Sequence, residues 1–139
     1  MALVLGAAAC TDLADYRGTW GGRRVGDSPA LKVGVVDGAR ATLAVDAVDR
    51  HGLHGHLTVD GLVDGAELTS LSGAEADALA GLTFSGGPVR VYLGFVDAAD
   101  HLGQALALVA LYDGRRVEVR LLRGGASPVY AIFALQEQP

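Results

Sequence analysis

Two histidines stand one residue apart in the run His51-Gly52-Leu53-His54-Gly55-His56. Side chains alternate along an extended strand, so His54 and His56 project from one face. That spacing suits a divalent ion, and zinc comes first because neutral imidazole is one of its standard ligands. Asp60 continues the same face, and His101 could join from a loop. Glycine between the histidines loosens the backbone, however, and no third ligand is fixed by spacing. The competing reading is a solvated strand start. Asp60, Asp64, Asp97, Asp100 and Asp113 do not form the alternating Asp-x-Asp-x-Asp-Gly loop that wraps calcium. Each falls at a turn, where Asp bonds its own backbone. No serine sits in a Gly-x-Ser-x-Gly elbow. The glycine pairs at 21–22, 86–87 and 124–125 do not lead into a Lys-bearing helix start, so they are not phosphate loops. Catalytic residues and cofactors are therefore expected to be none, and the chain reads as a non-enzyme.

The elements that would carry these groups are short strands. Half of the 139 residues are hydrophobic, 19% are charged and the mean hydropathy is +0.32. That composition supports a buried core in one domain and excludes intrinsic disorder. Net charge is -5 and Lys32 is the only lysine. With no basic tract to neutralise phosphates, a nucleic-acid partner is not expected. The 20 glycines recur beside Asp, Ser or Gly, as turn punctuation does. Asp37-Gly38 and Asp113-Gly114 read as tight hairpin turns, the first joining Leu31–Val36 to Ala41–Val48 and the second joining Gln104–Tyr112 to Arg115–Leu122. Leu43 and Val45 share one face of their strand, and Val117, Val119 and Leu121 share the inner face of theirs. Further strands are expected over Leu53–Asp60, Ala66–Leu71, Leu82–Ser85, Val89–Val96 and Val129–Leu135. Val89, Val91, Leu93 and Phe95 share one face and alternate with Arg90 and Tyr92, and a filled core, with Leu93, Phe95 and Leu108 interdigitated, would rule out a ligand carrier. Ser72 and Glu75 form a capping box for one short helix over Glu75–Ala80.

This pattern predicts an all-β fold, an antiparallel meander of about eight strands closing into a small barrel, with a β-sandwich as the alternative. The segment Tyr16-Arg17-Gly18-Thr19-Trp20 resembles the Gly-x-Trp opening of lipocalins and related calycin barrels. The resemblance implies that Trp20 closes one barrel end, with a basic residue of the last strands, Arg120 or Arg123, lying over it by cation–π contact.

Residues 2–9, Ala-Leu-Val-Leu-Gly-Ala-Ala-Ala, run directly into Cys10, the single cysteine of the chain. An apolar stretch ending in small residues before a cysteine resembles the lipobox of bacterial lipoproteins. It implies a signal-like segment over 1–10, lipid attachment at Cys10, and a single β domain over 11–139. The missing basic flank and the small Ala7 depart from that pattern. The alternative is a buried strand in which Cys10 is a small apolar residue. The expectation is a non-catalytic lipoprotein of the cell envelope, at the outer membrane or its periplasmic face. Its partners would be the membrane, through the lipid anchor, and an envelope protein for which it acts as an interaction module. A lipocalin-like carrier of a small apolar ligand is the second reading, and a His-based metal protein the third.

Overall fold

The computed structural model describes residues 12–25, 39–73, 76, 78, 87–99, 103–125 and 128–139. Eight antiparallel strands follow one another around a closed barrel. They are β1 (Gly18–Val25), β2 (Arg40–Val48), β3 (Gly52–Val59), β4 (Val63–Leu71), β5 (Arg90–Asp97), β6 (Gln104–Tyr112), β7 (Arg116–Arg123) and β8 (Val129–Glu137). Each strand pairs with its neighbours in sequence, and β8 returns to β1. Closure leaves no open sheet edge, which is the physical gain of the barrel over a sandwich. The expected strands at 31–36 and 82–85, the Asp37-Gly38 turn, Cys10 and His101 lie outside the described residues. The described partner of β2 on that side is β1, with Trp20 opposite Leu43. Of the expected helix over Glu75–Ala80, Ala76 and Ala78 are described, and both are helical. Asp113-Gly114 does turn β6 into β7, with Gly114 at φ 82 and Arg115 at φ 59.

The interior is a single cluster drawn from every strand. Trp20, Leu43, Leu57, Leu68, Tyr92, Val109, Leu111, Leu121, Phe133 and Leu135 belong to it, and all have zero exposure. Zero exposure means that no water-sized space adjoins them, so these side chains fill the barrel they line, as small eight-stranded barrels allow. At the foot, a 3-10 turn, Leu13–Tyr16, closes the end. Asp12 caps it by accepting the Ala14 N–H at 2.9 Å. Tyr16 stacks on Trp20 with ring centroids 5.8 Å apart. The Trp20 indole donates to the Tyr16 carbonyl at 2.8 Å, and the Tyr16 hydroxyl donates to the Tyr112 carbonyl at 2.6 Å. The plug is thus hydrogen-bonded to both β1 and β6. Gly22 marks where β1 meets β8 most closely: a Cβ there would lie 1.9 Å from the Ala134 carbonyl oxygen. Only glycine lets the two strands seal the barrel at that point.

Three sequence expectations need correction. Leu93 and Phe95 do not enter the core. Tyr92 and Val96 of β5 point inward instead, and Phe95 is 58% exposed. Leu93 pairs with Leu108 and Phe95 with Leu106, on the outer side of a β6 whose inner side already carries Ala105, Ala107, Val109 and Leu111. Leu108 is buried, as expected, but in a separate outer cluster with Val91, Ala110, Tyr112 and Ala76. The barrel-closing pair is the third. Trp20 is inside, whereas Arg120 alternates with the inward Val119 and Leu121 and so stands on the outer wall. Its Nε donates to Glu118 Oε2 at 2.9 Å. The plug over Trp20 is Tyr16, and the cation–π contact near the foot is Arg116 over the Tyr112 ring at 4.4 Å.

Candidate functional site

His54 and His56 do share the outer face of β3, alternating with the inward Leu53, Gly55 and Leu57. Asp46, the extra residue where the β2–β3 register shifts between Val45 and Ala47, reaches between them. Its Oδ2 lies 3.2 Å from His56 Nδ1 and 3.8 Å from His54 Nδ1. On the other side His54 Nε2 lies 3.0 Å from Glu67 Oε1, and this hydrogen bond holds the Glu67 carboxyl below its ordinary range. Asp60 is not part of the group. It sits in the β3–β4 turn, where its Oδ2 accepts the Arg40 N–H at 3.0 Å. Among the described residues no three His, Cys, Asp or Glu side chains are grouped to hold a metal ion. The cluster is a solvated polar patch across β2, β3 and β4, in which each imidazole faces a carboxylate.

Registers show what the opposite stretch of wall carries. Residues paired across neighbouring strands share a face. One row on the outer face runs Leu71, Leu93, Leu108, Arg120, Ile132, and the next runs Thr69, Phe95, Leu106, Leu122, Tyr130. Both rows are predominantly apolar, although they face away from the core. The side of Leu108, Ala110 and Tyr112 is covered, with Ala76 packed on it. Leu71 at 67% exposure and Phe95 at 58% are left open. Between them lies a groove of about 260 Å³ lined by Leu71, Ser72, Gly73, Ala76, Leu93 and Phe95. A second hollow, about 350 Å³, lies on the far side of Leu71 with Val48, Leu53 and His54 in its wall. Leu71 is therefore a ridge between two hollows. Large exposed apolar side chains arranged around a groove are the usual mark of a binding surface.

The signal for this face was present in the sequence. Gln104–Tyr112 is apolar at nearly every position, which an outer strand face needs only if something covers it. Leu71 carries no such signal, since it is one leucine at the end of an alternating strand. Comparison of the chain with models of known protein families, with characterised proteins and with solved structures finds no match. The class that fold and surface define is an eight-stranded antiparallel up-and-down barrel with a filled interior and an apolar outer face.

Proposed function

We propose that this protein is a non-catalytic interaction module of the cell envelope, which docks on a partner protein through the outer face of β4 and β5. The observation that carries this reading is the pair Leu71 and Phe95, exposed on either side of a groove. Burying a leucine and a phenylalanine is worth roughly 1.5–3 kcal/mol each, enough to anchor an interface when the groove receives an apolar side chain in return. A lipid on Cys10 would hold the module at the outer membrane or its periplasmic face. The run of small apolar residues directly before that single cysteine supports the tether. Intact mass of the membrane-derived protein beside Cys10→Ser tests it, and an unacylated wild-type chain refutes it. The Gly-Thr-Trp opening and the eight-stranded barrel also suit a lipocalin-like carrier. The filling of the interior by Trp20, Tyr92, Phe133 and the leucines around them favours docking over carriage.

The docking reading is tested by a photo-reactive amino acid at Thr69, which lies in register beside Phe95, in cells making the full chain. The expected adduct is one defined protein. Once purified, that protein should bind the wild type and lose at least about tenfold in affinity to Phe95→Ser. Adducts scattered over many proteins, an adduct with a second copy of this chain, or an affinity indifferent to Phe95→Ser would each overturn it.

A further inference from the structure

The wall of the barrel is not equally sealed all round. On one side β5 pairs with β6 along its whole length, from Arg90 opposite Leu111 to Asp97 opposite Gln104. On the other side its ladder with β4 covers only Thr69–Leu71 opposite Leu93–Phe95. Above that point the two strands part. Further up, β4 carries a bulge, where the β3–β4 register shifts between Leu57 and Val59. Gly65 takes φ 57 there and donates its N–H to Thr58 Oγ1 at 3.2 Å. The seam is closed again at the rim, where the Ala99 N–H donates to the Leu62 carbonyl at 2.7 Å.

Between these closures lies a cleft of about 610 Å³. Ala66, Ala98, Ala99 and Gly103 give it small-side-chain walls, while Asp64, Glu67 and Asp97 supply carboxylates. Gln104 donates to Asp97 at 3.0 Å. No Arg or Lys is among the described lining residues. The cleft lies further along the same two strands that carry the docking face. Along the outer side of β5, Phe95 is followed two residues later by Asp97, and along β4, Leu71 and Thr69 lead up to Glu67. Two strands thus present an apolar lower half and an acidic upper half beside an interrupted backbone ladder.

We propose that the β4–β5 seam receives an extended cationic segment of the partner, with an apolar side chain in the Leu71–Phe95 groove and Lys or Arg side chains in the carboxylate-lined cleft above it. This rests on the docking reading and names the chemistry of its partner. An extended segment lying along the outer side of these strands presents alternate side chains to the groove and to the cleft. The alanine walls accept the aliphatic stem of a long basic side chain, and the carboxylates meet its head group. Because strand side chains recur every second residue, the segment reads as aromatic-x-basic-x-basic.

The probe is a fluorescein-labelled peptide of about nine residues, alternating valine with lysine after one phenylalanine, long enough for the roughly 23 Å from Leu71 to Asp64 at about 3.3 Å per residue. Its counterpart carries glutamate for lysine. Fluorescence anisotropy with the full chain should show saturable binding of the cationic peptide that weakens as salt is raised, and no binding of the acidic one. The triple variant Asp64→Asn, Glu67→Gln, Asp97→Asn should weaken it about tenfold or more while its melting temperature shows it folded. No saturable binding up to about 1 mM, equal binding of both peptides, or an unchanged affinity in the folded triple variant would overturn the proposal. These failures stay separate from the docking reading, which is decided by the Thr69 cross-link and by the effect of Phe95→Ser on the cross-linked partner.

Discussion

Tyr92 gives the sharpest test of how the barrel is held together. Its ring has zero exposure, and its hydroxyl donates to the Asp49 carbonyl at 2.6 Å, tying β5 to the β2–β3 turn. Burial is the main cause that pushes its pKa from 10.0 up to about 12, with Arg90 opposing and Asp49 adding to the rise. In the unfolded chain the phenol ionises near 10. The folded state binds that proton more tightly, so the contribution is complete below about pH 10 and is lost as pH rises toward 12. One pKa unit is worth about 1.4 kcal/mol, which sets a ceiling of about 2.7 kcal/mol. The hydroxyl lies at the foot of the barrel beside an exposed turn, where solvent screens it, so about 1–2 kcal/mol is expected. Tyr92→Phe removes the titration and leaves the Asp49 carbonyl without this donor, a cost of about 1–3 kcal/mol at neutral pH. Urea unfolding of both proteins at about pH 8, 10 and 11.5 should show the stability gap narrowing as pH rises. Tyr16 and Tyr112 are also raised by burial, but they occur in both chains and cancel in the difference. A gap that does not change with pH would refute the reasoning.

Closure at Gly22 predicts that Gly22→Ala loses on the order of 3 kcal/mol or more, because the new Cβ would meet the Ala134 carbonyl oxygen at 1.9 Å. Gly73→Ala, with open space around it, should change denaturant stability by under about 0.5 kcal/mol. Tyr16→Phe should cost roughly 1–3 kcal/mol through the lost 2.6 Å bond to the Tyr112 carbonyl, and faster exchange of amides at the foot would show where it acts. Asp49 Oδ1 accepts the His51 N–H at 2.7 Å and the Gly52 N–H at 3.0 Å, and these bonds hold its carboxyl below the usual 3.8. Its contribution is present above about pH 3.8 and is lost as pH falls further, so Asp49→Asn should flatten the acid limb of a stability-against-pH curve.

The sequence by itself determined the all-β class with about eight strands, most positions of β2 to β8 and the turn at Asp113-Gly114, whereas β1 was not legible as a strand. Gln104–Tyr112 was read with the bounds that β6 has, and Asp113-Gly114 with the turn it makes, because those features depend on local backbone preference and alternation. Inner and outer faces were legible where one face was charged, as in β7 with Arg116, Glu118 and Arg120 outside. In β5 alternation found the two faces but assigned them the wrong way round. An apolar row can face the core or an outer surface, and only the register with β6 distinguishes the two. The partner of His54 and His56 was equally out of reach. Asp46 arrives through a bulge in the neighbouring strand β2, whereas Asp60, nearer in sequence, serves its turn. The docking face and the open seam also belong to tertiary structure alone. Leu71, Phe95 and the three carboxylates lie along the same two strands because β4 and β5 pair over a short ladder that ends at Thr69, and that path is set by how the whole barrel closes.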